Sequence, residues 1–284
     1  MYLLFDIGGS KTRMAFSVDG AVFEEPRVVA TPSDFKVGME CIRKIGSEVA
    51  KGRHVQAVGG GVPGTLDREK KMLVRAPHLK AWAGKPLHSE LEKIFSAPVL
   101  IENDAALAGL GEARRGAGRE KSIVAYLTIS TGVGGARIVQ GEIDFNTFGF
   151  EPGHQIIDIG GEMCEGCRVG EKHMNIGHLE EYVSGAAVKR RFGQAPSEII
   201  NPAVWDELAR FLSYGLHNTI VHWSPEIVVL GGAMILKKNG IKIERVREYV
   251  KEICTVFQEL PDIKEAALGD FGGLHGALEL ISRR

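Results

Sequence analysis

The stretch FDIGGSKTRMAFSVDGAV, residues 5–22, settles the fold through its likeness to a second stretch, LTISTGVGGARIVQGEI, residues 127–143. Each runs in the same order: an apolar strand, a Gly-rich turn, an Arg, a second apolar strand, a V-x-G turn and a further β run. Asp19-Gly20 and Gln140-Gly141 are short-range hairpin signals between those β runs. The pair forms a faint internal repeat of about half the chain. A genuine repeat implies two related lobes that face each other across a cleft, each offering a Gly-rich hairpin.

Outward from these stretches, strands alternate with helices. A helical pattern over residues 32–51 precedes the apolar strand VQAVGGG, and a loop region leads to Trp82. A helix over 87–95, the strand PVLIEND and a helix over 105–115 follow. Alternation of this kind is the α/β signature. Low-complexity segments, charge blocks and Pro-rich linkers are absent.

With 284 residues, 44% hydrophobic and 25% charged, the composition is that of a globular chain with a sizeable core. A net charge of −1 leaves no basic footprint for nucleic acid or an anionic membrane surface. No apolar run approaches the roughly 18 residues of a membrane span. Met1 leads straight into the strand-like YLLFDIGG, so no signal peptide is expected and the chain is placed in the cytoplasm. Of four cysteines, Cys41 and Cys254 stand singly in helical patterns, whereas Cys164 and Cys167 form C-x-x-C. Gly, Glu and His residues around that pair favour a metal over a redox dithiol.

Three Gly-rich stretches compete for phosphate. GGGVPG, residues 59–64, has the spacing of a dinucleotide fingerprint, but TLDREKK follows instead of the apolar start of a helix, so it reads as a turn. The P-loop pattern does not occur. DIGGSKTR and STGVGGAR remain, and a tight hairpin rich in Gly, Ser and Thr offers several N–H groups and hydroxyls to phosphate oxygens. Asp6 beside such a turn would repel phosphate without a bridging divalent cation, which points to Mg²⁺ and a nucleotide.

Taken together, FDIGGSKTR, GGGVPGTLD, APHLKAW, VLIENDAALAGLGEARRG, LTISTGVGGARIVQGEI, EPGH, GHLEEYVSG and EIVVLGGAM resemble, in order and spacing, the ROK-family sugar kinases. The resemblance implies an α/β, two-lobed actin-like (ribonuclease H-like) fold with ATP phosphates between two hairpins. It implies a small N-terminal lobe over 1–106, rejoined by a C-terminal helix over 272–284, and a large lobe over 107–271. It further implies ATP-dependent phosphorylation of the primary hydroxyl of a hexose or N-acetylhexosamine, and a homodimer or homotetramer.

By resemblance the catalytic base falls on Asp104 of VLIENDAA, a sensible place for a carboxylate that accepts a hydroxyl proton. Glu102 is the competing carboxylate, and capping of the following helix is the plain structural role for Asp104. The resemblance assigns sugar contacts to Gly64, His78, Asn103, Glu151, His154 and Glu180, with His78 standing where the family usually has Asn. It assigns ATP contacts to Asp6, Gly8, Gly9, Lys11, Thr12, Thr131, Gly132, Gly231 and Gly232. Family members also carry a structural zinc on the His of E-x-G-H and three Cys. Here the set becomes His154, Cys164, Cys167 and His178, with His173 as the alternative fourth ligand, a combination that suits tetrahedral Zn²⁺.

Two other classes compete. Sugar-responsive repressors of the same family place a winged helix before the kinase-like body, and strand one begins here at Tyr2. A zinc-finger nucleic-acid reader needs a longer spacer than the five residues between Cys167 and His173, within a basic module. The zinc-finger reading is rejected, and a sugar-sensing regulator of the family that lacks its DNA-binding domain stays the alternative.

Overall fold

The computed structural model describes residues 1–160, 163 and 177–282. The chain opens with β1 (Tyr2–Ile7), β2 (Lys11–Ser17), β3 (Arg27–Ala30), α1 (Phe35–Ala50), β4 (Ala57–Val62), β5 (Thr65–Leu66) and β6 (Leu73–Arg75). α2 (Leu87–Phe95), β7 (Val99–Asn103) and α3 (Asp104–Arg115) follow. Next come β8 (Ile123–Ile129), β9 (Val133–Val139), β10 (Glu142–Ile143), α4 (Glu180–Val183), α5 (Gly185–Phe192) and α6 (Pro202–Trp223). β11 (Ile227–Gly231), α7 (Ala233–Leu236), α8 (Ile243–Ile253), β12 (Asp262–Glu265) and α9 (Gly272–Ser282) complete it.

Two compact units result: residues 1–115 with 145–149 and 270–284, and residues 116–144 with 150–269. In the first, the sheet order is β3-β2-β1-β4-β7; in the second it is β10-β9-β8-β11-β12. Both begin with an antiparallel meander of three strands and continue with two parallel strands. The repeat read in the sequence is therefore a repeat of topology.

In the first unit, α1 starts where the Asp34 carboxylate accepts from the Val37 N–H at 3.0 Å. Phe35, Met39, Ile42, Ile45 and Val49, spaced three or four apart, bury one face against the sheet. Trp82 is 1% exposed, and its indole N–H donates to the Pro32 carbonyl at 3.2 Å. Burial of such a ring stabilises a fold by roughly 1.5–3 kcal/mol, and here it pins the 3-10 turn at 80–82. α3 and α9 pack so closely that a methyl at Gly276 would run into the Leu107 carbonyl. The expected lobe boundary at 106 thus falls inside α3, which lies wholly in the first unit through this contact.

The second unit is built on α6, which Asn201 caps by accepting from the Ala203 N–H, with Pro202 in the first turn. Its Leu208, Phe211, Leu212, Leu216 and Ile220 are almost fully buried in a core with β8 and β11.

Two local readings change. Gln140 and Gly141 have φ of +53° and +69°, the two-residue turn that joins β9 to β10 as expected. Asp19-Gly20 makes no such hairpin. Asp19 Oδ1 accepts from the Ala21 and Val22 N–H groups, and β3 starts only at Arg27. Of GGGVPG only Pro63 and Gly64 bend the chain, while Gly59, Gly60 and Gly61 lie in β4, where the strand VQAVGGG is expected to run. Their bare backbone lets Ile281, Phe5 and Asp104 approach where side chains would collide.

Candidate active site

The first unit gathers Asp6, Gly8, Gly9, Lys11, Thr12, Gly64, His78, Asn103 and Asp104. β1 and β2 pair as far as Ile7 opposite Thr12, and the Gly8 N–H donates to the Lys11 carbonyl at 2.8 Å. Neither Gly8 nor Gly9 has a positive φ. Close approach is what requires a glycine here, because a methyl on Gly9 would lie 2.6 Å from the His78 Cβ. Thr31 Oγ1 donates to the Gly8 carbonyl at 2.7 Å and lies 2.9 Å from Thr12 Oγ1. That spends the only proton of Thr31, so Thr12 is the donor between the two hydroxyls. Thr12 is 2% exposed and braces the turn from inside, while Lys11 is exposed.

Asp6, at the end of β1, meets Arg13 Nη1 at 3.2 Å, and Arg13 Nη2 lies 3.7 Å from Asp270. Burial pushes the Asp6 carboxyl above its ordinary range, with Arg13 opposing that shift.

At the end of β7 three consecutive polar residues divide the work. Glu102 is buried, pairs with the Lys70 ammonium and accepts from the Asn103 N–H at 2.9 Å. Asn103 caps α3, its Oδ1 accepting from the Ala106 N–H at 3.1 Å, and its Nδ2 donates to the Gly64 carbonyl at 3.1 Å. Asp104 is the first helical residue, with Oδ1 accepting from the Ala105 N–H at 2.9 Å. The capping role that competed for Asp104 belongs to its neighbour.

The second unit gathers Thr131, Gly132, Glu151, His154, His178, Glu180, Gly231 and Gly232. The β8–β9 turn is held from three sides. Gly185 and Ala186 N–H groups donate to the Ser130 and Thr131 carbonyls, and Glu180 Oε2 accepts from the Val133 N–H at 2.7 Å. Ser184 caps α5 beside that turn by accepting from the Ala187 N–H at 3.1 Å. Pro152 and Gly153 press against Gly135 and Val133 of β9, which sets Glu151 and His154 at the two ends of a short 3-10 turn. Gly232 has φ +88°, open to glycine alone in practice, and begins α7 directly after β11.

His154 Nδ1 and His178 Nδ1 stand 3.2 Å apart. An isolated bridge between Ile156 and His178, and bonds from the Ile157 and Asp158 N–H groups to the Gly177 carbonyl, hold the two segments together. Burial holds the His178 imidazole below its ordinary range, and the neighbouring His154 adds to this. Cys164, Cys167 and His173 lie outside the described residues. Among the described residues, no three His, Cys, Asp or Glu side chains converge as a metal site.

The sequence profile of the ROK family matches residues 2–284. The chain belongs to the ROK family. It is 29% identical to a glucokinase of Thermotoga maritima, over 98% of this chain and 96% of that protein. It is 27% identical to an N-acetyl-D-glucosamine kinase of Escherichia coli O127:H6, over 98% of each chain. A ROK family glucokinase from Streptomyces griseus, solved with glucose and AMPPNP, matches with a TM-score of 0.80 at 25% identity, over 100% of this chain and 99% of that one. The duplicated sheets are accordingly those of the two-lobed, actin-like ROK fold.

Some side chains that hold this ROK site escape a reading of the sequence. Thr31 acts through a hydrogen bond to a turn 23 residues away, and a Thr just past a strand carries no mark of that. Lys70 sits in the run REKK, which reads as a solvated turn, yet it reaches a carboxylate 32 residues away.

Proposed function

We infer that this chain is an ATP-dependent sugar kinase that transfers the γ-phosphoryl group of ATP to the primary hydroxyl of a hexose or N-acetylhexosamine, with Asp104 as general base. The arrangement at the end of β7 carries the assignment. Lys70 neutralises Glu102 and Asn103 caps the helix, so Asp104 is the carboxylate suited to proton transfer. The acceptor hydroxyl gives its proton to Asp104 as its oxygen attacks the γ-phosphorus, and the bond to the bridging oxygen breaks to release ADP.

Gly8, Gly9, Lys11, Thr131 and Gly132 serve the phosphates, with Thr12 as their brace, and Gly231 and Gly232 serve the adenosine. Gly64, His78, Asn103, Glu151, His154 and Glu180 serve the sugar. Asp6, beside the first hairpin, fits a role toward Mg²⁺, which when bound offsets the phosphate charge. Zn²⁺ fits the facing imidazoles of His154 and His178, because tetrahedral bonds of about 2.0–2.1 Å place two ligand nitrogens about 3.3 Å apart. Cys164 and Cys167 complete that proposed set. Zinc would close the loop and fix the His154 ring so that its Nε2 serves the sugar. We place the enzyme in the cytoplasm as a homodimer or homotetramer, a size that light scattering reads directly.

A coupled ADP-release assay across hexoses and N-acetylhexosamines tests the reading. Sugar-dependent release is expected for at least one acceptor, and its absence across the panel defeats the proposal.

A further inference from the structure

Lys70 adopts a backbone conformation that its residue type resists, with φ of +55°. Other described non-glycine residues with positive φ have plain reasons for it: Lys51, Ser96 and Ser224 end helices, Gln140 makes a hairpin turn, and Glu120 lies in an exposed turn. At Lys70 the demand comes from the turn between β5 and β6. Asp67 Oδ1 accepts from the Lys71 N–H at 2.7 Å and the Met72 N–H at 3.1 Å, and the Asp67 carbonyl accepts from the Lys70 N–H at 2.9 Å. Glycine or asparagine is the usual occupant of such a position.

What lysine adds is reach. Its ammonium meets Glu102, whose other oxygen accepts from the Asn103 N–H, the residue before Asp104. The same hairpin is tied at its entry, where the Gly64 carbonyl accepts from Asn103 Nδ2. His78 follows β6 and packs on Gly9. Glu102 is 7% exposed, so loss of its partner would leave an uncompensated buried anion next to Asp104.

We propose that Lys70 is a positioning residue that clamps the β5–β6 hairpin onto the end of β7 and cancels the Glu102 charge beside Asp104. The clamp holds Gly64 against the start of α3 and His78, just past the same hairpin, against Gly9, and it leaves Asp104 the carboxylate whose charge acts on the acceptor. This rests on the reading of Asp104 as general base.

The test compares wild type with Lys70→Met, Lys70→Gly, Lys70→Arg and Lys70→Met/Glu102→Gln, by amide hydrogen exchange and by steady-state kinetics. In Lys70→Met, exchange over residues 65–75 is expected to quicken by about tenfold. Acceptor KM is expected to rise and kcat to fall by about tenfold, with ATP KM within about twofold of wild type. Lys70→Gly relaxes the backbone and should still share the loss, which assigns the effect to the side chain. Arginine should restore protection and turnover, and Glu102→Gln in the Met background should recover part of kcat. A lowered melting temperature with both kinetic constants intact overturns the positioning role. So does a Lys70→Met hairpin that exchanges as slowly as wild type, a readout that stands even if wild type phosphorylates no sugar and the kinase reading fails.

Discussion

Glu180 accepts a hydrogen bond from the Val133 backbone N–H at 2.7 Å, so a residue assigned to the sugar holds the turn assigned to the phosphates. A methyl on Gly132 would lie 2.5 Å from the same carboxylate oxygen. Hydrogen bonds to charged groups contribute about 1.5–3 kcal/mol, so Glu180→Ala is expected to raise acceptor and ATP KM together, each by about tenfold. Gly132→Ala should reproduce the pair of effects by displacing Glu180. Steady-state kinetics with each substrate varied checks this; a rise confined to the acceptor would separate the turn from Glu180.

Asp104→Asn keeps size and removes the base. Turnover is expected to fall by about 10²–10⁴-fold while acceptor binding, followed by calorimetry, persists. Glu102→Gln, beside a Lys70 that is 40% exposed and can turn to water, should keep kcat within about tenfold of wild type. Reversal of that order would move the base to Glu102.

The sequence carries the elements and the duplication well, because strand and helix periodicity is local. α2 runs over Leu87–Phe95, the span its pattern predicts, and the Gln140-Gly141 turn falls where its residue types demand. What stays hidden depends on partners far along the chain. Period two places Glu102 and Asp104 alike, and the Lys70 partner of Glu102 lies 32 residues away, beyond any local pattern. Gly59, Gly60 and Gly61 fall both in the strand VQAVGGG and in the turn GGGVPG, because glycine marks both turns and strands that other elements approach closely. Thr12 looks like a phosphate hydroxyl in sequence, and the Thr31 bond that turns it inward requires the third strand of the meander.

Gly8 and Gly9 should differ when substituted. A methyl at Gly8 sits 3.1 Å from the Lys11 carbonyl, so Gly8→Val crowds the turn and is expected to weaken ATP binding alone. Gly9→Ala meets His78 and should weaken both substrates by displacing the sugar-side loop. Calorimetric titration of each ligand distinguishes the two patterns. Unchanged ATP affinity in folded Gly8→Val would reduce DIGGSKTR to a plain turn.

Stability should depend on His275 of α9. Its Nδ1 is buried with no hydrogen-bond partner among the described residues, and its ring lies 4.7 Å from that of Phe23. Burial, then the positive charge of Arg115, lowers its imidazole from the ordinary 6.5. Once pH drops below the ordinary value, the unfolded chain takes up a proton that the folded chain resists. The stabilisation is complete above that value and is lost as pH falls toward the folded pKa. His275→Leu is expected to flatten the decline in melting temperature between about pH 7.5 and about pH 5.5. Identical slopes for the two proteins would remove His275 from the account.

The zinc assignment turns on His178. Its Nδ1 stands 3.2 Å from His154 Nδ1, and burial and that neighbour disfavour its protonation, which suits a metal ligand. Purified protein is expected to hold about one Zn²⁺ per chain, bound by His154, Cys164, Cys167 and His178. His178→Ala should lose the metal and His173→Ala keep it; the opposite pattern gives the fourth position to His173. Chelation should raise acceptor KM more than ATP KM, because the metal would act on the sugar through His154. Wild type without zinc would leave the stem formed by the paired segments 155–158 and 177–182 to position His154 alone. The stem has the means, since Asp158 accepts from the Tyr182 hydroxyl at 2.8 Å and the Leu179 N–H donates to the Gln155 carbonyl at 2.9 Å. In that case His178→Ala, by removing the ring that faces His154, should still raise acceptor KM in metal-free protein.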